Sequence, residues 1–248
     1  MNQLPRPKRA SILTMLIEGV TMREIARTAG VSINTVTKLL QDGGRTARSF
    51  HDTRVRGIRE RRRVECTRVW AFAETAQTAT EDPNRPVRTR NAWTYTAIDA
   101  ESRLIVSYAI TFRTVGAAIA MKDDLRTRLR VEPALVTLPL PANIPGTVEN
   151  TTADFAGAFH RARVGAAARP GQRTSAASPM ETYRAVVNLY ALHHNYCKVQ
   201  SHSGATPAMA AGLDEQVRDT AWIVELIDAR APRPRRPSKY RKAVRVPD

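Results

Sequence analysis

The stretch Thr21-Met-Arg-Glu-Ile-Ala-Arg-Thr-Ala-Gly-Val-Ser-Ile-Asn-Thr-Val-Thr-Lys-Leu-Leu40 reads as two short helices meeting at Gly30. Thr21 is placed to cap the first helix, with Glu24 three residues on completing a capping box. Gly30 supplies the left-handed backbone that a tight turn needs. Val31 plugs the junction and Ser32 caps the second helix. There Ile33, Val36 and Leu40 recur at i, i+3 and i+7 as an inward stripe. Asn34, Thr35 and Lys38 are left outward, with Ser32 and Thr37 on the flanks. Short hydrogen-bonding side chains plus one cation suit contact with base edges and phosphates, so the pattern predicts a helix-turn-helix.

Working outward, residues 8–18 carry Ile12, Leu13, Leu16 and Ile17 on one side and predict a preceding helix that completes a three-helix unit. On the other side, Asp42-Gly43-Gly44 predicts a helix break, followed by a basic helical or linker stretch to Arg63. Beyond it, residues 64–73, 93–98 and 104–112 are rich in β-branched and aromatic residues and predict three strands. Asp99-Ala-Glu-Ser102 forms the turn between the second and third. Residues 115–130 predict an amphipathic helix and residues 134–138 a short strand. Three more helices are expected: residues 181–197, a short one opened by Thr206-Pro207, and residues 221–229 anchored by Trp222. Trp70 and Trp93 are expected in the core.

The fold class is therefore α/β: an N-terminal three-helix helix-turn-helix module followed by an incomplete ribonuclease H-like mixed domain, whose β-β-β-α-β order matches that fold. The divisions are 1–42 helix-turn-helix, 43–63 basic linker, 64–160 partial ribonuclease H-like domain, 161–180 flexible segment, 181–229 C-terminal helices and 230–248 basic tail.

Over 248 residues the formal net charge is +16, which points to a polyanionic partner. Arginine clusters at residues 54–63 and 230–242, and beside a DNA-reading motif Arg61, Arg62 and Arg63 are expected to meet phosphates. Only Cys66 and Cys197 are present, without a Cys-x-x-Cys pair, which fits a reduced cytosol and excludes a cysteine-based zinc site. No apolar run approaches the ~18 residues of a membrane span, so a cytoplasmic protein is expected. His193, His194, Cys197 and His202 invite a zinc reading, since His193 and Cys197 stand at i, i+4.

The chain resembles the DDE-type transposases of bacterial insertion sequences, related to the insertion-sequence-one group. The strings SINTVTKLL, WTYTAIDAESRLIVS, DDLRTRL and TPAMAAG carry most of the similarity. The resemblance implies transposition by strand transfer, with double-stranded DNA and terminal inverted repeats as partners. It also implies two Mg2+ ions held by three carboxylates, each stabilising an attacking or leaving oxygen. For His193, His194, His202 and Tyr196 it implies, instead of zinc binding, a structural role in a helix and its following turn. Joining two DNA ends makes a homodimer natural, although no heptad marks an interface.

The acidic set departs from that pattern. The family's first-strand Cys-Asp-Glu-x-Trp reads Cys66-Thr67-Arg68-Val69-Trp70. Glu65 shares the strand face but sits ~6.6 Å away, too far for metals ~3.5–4 Å apart. Asp154, after Thr151-Thr152, is the one candidate catalytic and metal-binding residue, with a helix cap as its alternative role. Between Asp154 and Glu181 there is no acidic residue to supply the third ligand. The expectation is a DNA-binding, catalytically impaired transposase, the alternative a helix-turn-helix transcription regulator or transposition repressor.

Overall fold

The computed structural model describes residues 4–58, 63–75, 89–111, 117–130, 134–137 and 179–230. Its elements are α1 (Arg6–Ile17), α2 (Met22–Ala29), α3 (Ile33–Arg54), β1 (Arg63–Thr75), β2 (Thr89–Asp99), β3 (Ile105–Thr111), α4 (Ala117–Arg128), β4 (Ala134–Thr137), α5 (Pro179–Tyr196), α6 (Pro207–Ala210) and α7 (Thr220–Arg230). The expected order of helices and strands is the observed one. The strands of the first hairpin are longer than expected, because backbone pairing continues past the aromatic runs to Glu74↔Arg90 and Thr75↔Thr89.

Among the described residues the sheet has four strands in the order β3-β2-β1-β4. β1 and β3 each pair antiparallel with β2, whereas β4 pairs parallel with β1. A parallel partner demands a crossover, and α4 is the helix lying between β3 and β4 in the chain. The β2–β3 turn is fixed locally: the Asp99 carboxylate accepts hydrogen bonds from the Ser102 amide at 2.8 Å and from the Ser102 hydroxyl. A turn built by its own side chain is what the Asp99–Ser102 spacing implied.

One expectation fails instructively. Asp42-Gly43-Gly44 does not break the helix: α3 runs unbroken for 22 residues, so the first half of the expected linker is helical. Both glycines are buried. A Cβ on Gly44 would stand 2.5 Å from the Ala185 Cα, and one on Gly43 would touch Leu13, Ile227 and Leu189 at 3.5–3.6 Å. The glycines thus sit where α3 is crossed closely by α5. Packing overrides their poor helix propensity, which is only about 1 kcal/mol per residue.

Consequently the N-terminal helices do not stand apart from the rest. Ile12, Leu13, Ile25, Val36 and Leu40 share one core with Leu189 of α5 and Ile223 and Ile227 of α7. Phe50, Tyr196 and Trp222 close the junction of α3, α5 and α7, with Phe50 edge-on to both other rings at 5.2 Å. Trp93 is half-buried against the same core, and the Trp70 side chain lies outside the described residues. A second cluster joins Ile98, Ile105 and Tyr108 of the sheet to Tyr183, Val187 and Tyr190 of α5.

The outer strand β3 has an edge that would otherwise present free backbone groups. Side chains of α3 and α5 cover it. Asn195 accepts from the Ile105 amide at 2.9 Å and donates to the Ile105 carbonyl at 3.0 Å, imitating a neighbouring strand. His194 bonds the Arg103 carbonyl, His51 the Val106 carbonyl and Arg48 the Tyr108 carbonyl, at 3.0, 3.1 and 3.3 Å.

Candidate nucleic-acid interface

The α2–α3 junction is built by three local devices. Thr21 Oγ accepts from the Glu24 amide at 3.2 Å, which is the Thr21 half of the expected box. Gly30 closes α2 in the left-handed conformation, φ 58°. Ser32 Oγ accepts from the Thr35 amide at 3.1 Å and so satisfies an amide that the first turn of α3 leaves open. Ile25, Ala26, Val36 and Leu40 are buried beneath this turn. Their burial fixes which side of α3 faces out.

On that outward side Asn34 and Lys38 are exposed, one helical turn apart, and Ser32 is exposed at the cap. Thr35 is half-buried, and its hydroxyl lies 2.9 Å from Ser32 Oγ, so the two hydroxyls share one hydrogen bond. Thr37 faces inward instead, buried with its hydroxyl 3.6 Å from the Met22 sulfur. An amide side chain and an ammonium group protruding from the start of a rigid helix offer donors and an acceptor to a partner, while the caps and core hold the backbone still.

The flanking charges divide. Arg63 is exposed and paired with Glu65 at 3.2 Å. Arg61, Arg62 and Asp154 lie outside the described residues, as do the 161–178 segment and the tail from residue 231. Further along α3, Arg45 and Arg48 continue the outward side beyond Lys38; sequence reading missed them because it ended the helix at Asp42. The signal was present. Positions 34, 38, 41, 45 and 48 keep the i+3/i+4 rhythm straight through the two glycines.

Three carboxylates on and beside the sheet are engaged by neighbouring groups. Glu65 meets Arg63 and Arg103, Asp99 closes its hairpin turn, and Asp124 accepts from Ser107 and Arg128. Asp124 is half-buried; burial alone would raise its pKa, but Arg128 and Ser107 hold it below the ordinary carboxylate value. Among the described residues no group of three His, Cys, Asp or Glu side chains is arranged to hold a metal ion. Glu65, Asp99 and Asp124, as the structure describes them, are not arranged as a two-metal centre.

Of His193, His194, Cys197 and His202, the structure gives His194 a bonded place in the fold. His194 is wholly buried on the β3 edge, and burial lowers its pKa to about 4. Burial likewise pushes the Cys197 thiol up to about 12, which disfavours the thiolate a metal would need. His202 is exposed in the loop before α6.

Comparisons with protein-family models, curated proteins and solved structures find no match. Among the described residues no helix is long and apolar enough to cross a membrane.

Proposed function

We propose that this chain is a DNA-binding protein of the insertion-sequence transposase kind, in which a helix-turn-helix reads duplex DNA and the acidic set for strand transfer is incomplete. The observation that carries the reading is the α2–α3 unit: two capped helices about a left-handed glycine, with Asn34 and Lys38 exposed on the second. The formal charge of +16 supports a polyanionic partner. The strand order β3-β2-β1-β4 with one intervening helix supports a ribonuclease H-like sheet.

A second reading, a transcription regulator or transposition repressor, is favoured by Thr67. It stands on the central strand β1, opposite Thr96, at the position where the resemblance expects the first catalytic aspartate. A protein lacking that ligand keeps recognition and loses cleavage.

The test begins with selection of duplexes by the full chain from a random library, followed by binding measurements on the enriched site. Asn34→Ala is expected to lower affinity by about 1–3 kcal/mol and relax sequence preference, as loss of a base contact does. Lys38→Ala is expected to weaken all sequences evenly and flatten the salt slope by about one. Failure of the full chain to bind any duplex discards the reading. Robust cleavage or strand transfer on terminal repeats with magnesium or manganese discards the claim of impairment.

A further inference from the structure

The proposed reading uses only the first two turns of α3, yet the helix continues. At 3.6 residues per turn, Asn34, Lys38, Gln41, Arg45 and Arg48 fall within a strip about 80° wide, and Arg48 lies ~21 Å along the axis from Asn34. There the close crossing of α3 and α5 introduces a second arginine. Gly44 abuts Ala185, so Arg48, one turn beyond Gly44, comes beside Arg184, the residue before Ala185. Between them opens a depression of about 290 Å3, lined by Arg48, Tyr108, Ala109, Ile110, Arg184 and Asn188.

Its walls are held in place. Tyr108 is buried and its hydroxyl donates to Asn188 Oδ1 at 3.0 Å, leaving the Asn188 amide nitrogen as a further donor. The Arg48 guanidinium lies 5.1 Å from the Tyr108 ring centroid, donates to the Tyr108 carbonyl at 3.3 Å and pairs with Asp52 at 2.9 Å. Asp52 is shared, because Arg128 also binds it at 2.6 Å. Arg184 is exposed and makes one long contact, 3.5 Å, to the Ile110 carbonyl. Of the residues lining the depression, the two that carry charge, Arg48 and Arg184, are both cations, so donors stand on both walls. A planar fork with free N–H groups is the usual partner of a phosphate oxygen.

We infer that this depression receives a backbone phosphate of the same duplex whose bases meet Asn34 and Lys38; the inference rests on that reading. α3 then acts as a single rigid ruler, with base-reading groups at its start and a phosphate clamp at its far end. Phosphate contacts fix register without carrying sequence information, so the clamp orients the reading helix.

The experiment measures binding of the full chain to a random-sequence duplex and to a selected duplex over a range of NaCl concentrations. Arg184→Gln is the primary variant because the side chain is exposed. It is expected to weaken both duplexes severalfold and lower the slope of log K against log salt by about one. Arg48→Gln with Arg184→Gln should lower it by about two, with thermal unfolding reporting that the double variant is folded. Lys122→Gln, an exposed charge on α4, should leave the slope unchanged. An unchanged slope for Arg184→Gln, alongside weaker binding by Asn34→Ala, overturns the clamp and leaves the DNA-binding reading standing. An equal slope loss in Lys122→Gln also overturns the clamp, since any charge would then serve. Saturable binding of inorganic phosphate that Arg184→Gln abolishes, with the DNA slope intact, makes this a free-anion site and overturns it too. If the unaltered chain binds no duplex, both proposals fall together.

Discussion

Arg9 of α1 and Asp228 of α7, 219 residues apart in sequence, form a two-pronged ion pair with N···O distances of 2.6 and 2.9 Å. Arg9 is buried, and its Nε also donates to the Leu4 carbonyl at 3.0 Å. The pair ties the first helix to the last helix described, and the apolar core between them is continuous. Removing Asp228 leaves the buried Arg9 guanidinium without its carboxylate, whereas Asp228 would keep Arg6 at 3.3 Å if Arg9 were removed. Asp228→Ala should therefore cost about 2–3 kcal/mol, below the ~3–5 of a fully buried pair because the carboxylate keeps some solvent. The same logic makes a chain cut off before α5 expose the apolar faces of α1 and α3. It should lose the cooperative transition of the full chain in urea; a sharp transition in the truncated protein would refute the shared core.

Gly44 offers a sharper test. In an isolated helix Gly→Ala is stabilising by about 0.5–1 kcal/mol. Here the added methyl meets the Ala185 backbone and Cβ at 2.5–2.8 Å, with no flexible side-chain end to move aside. Overpacking of this kind costs about 1–3 kcal/mol, so Gly44→Ala should lower the urea midpoint. Arg184 and Arg48 should separate as the helices part, so the same variant should also weaken duplex binding. A raised midpoint would show that α3 and α5 do not cross at this distance.

Much of this was legible in the sequence. Capping residues act within a few positions, and Thr21, Gly30, Ser32 and Thr206 each do what their spacing implies: Thr206 caps α6 by accepting from the Met209 amide at 3.3 Å. The places of the strands along the chain followed from β-branched runs, and the β2–β3 hairpin from one local turn. What stayed hidden was long-range. Gly43 and Gly44 look like a break because their purpose, a close crossing, depends on Ala185 far along the chain. The Arg48–Arg184 depression is invisible for the same reason. Equally, His51, His194 and Asn195 look like polar helix residues until the edge of β3 is beside them.

Arg128 joins the two halves of the α/β unit. Its side chain is fully buried and bonds Asp52 at 2.6 Å, Asp124 at 2.7 Å, and the His51 and Val55 carbonyls at 3.3 and 3.2 Å. Arg128→Met keeps the volume and removes four bonds at once, leaving Asp124 with Ser107 but without its cation and Asp52 with Arg48 alone. A loss of about 3–5 kcal/mol is expected. Adding Asp52→Asn and Asp124→Asn should recover part of it, because the stranded charges are then gone. If the triple variant is no more stable than Arg128→Met alone, charge is not what Arg128 answers.

Acid should weaken this fold as pH falls below the ordinary histidine value of ~6.5. His51 and His194 are buried neutral against backbone carbonyls of the β3 edge, and burial lowers their pKa values to about 3 and about 4. The unfolded chain binds these protons near the ordinary histidine value of ~6.5, whereas the folded chain resists them. Because the folded values are the lower ones, the stability associated with each histidine is complete above ~6.5 and is lost as pH falls from there toward the folded value. At pH 5 the loss is about 2 kcal/mol per histidine, at 1.36 kcal/mol per pH unit. Urea midpoints compared at pH 7.5 and pH 5 should show it. His51→Gln and His194→Gln keep an N–H for the Val106 and Arg103 carbonyls and remove the titration, so each should flatten the acid slope by its own share while lowering stability at pH 7.5 far less. Identical pH slopes in the variants and the parent would mean that these two rings are not held neutral against the sheet edge.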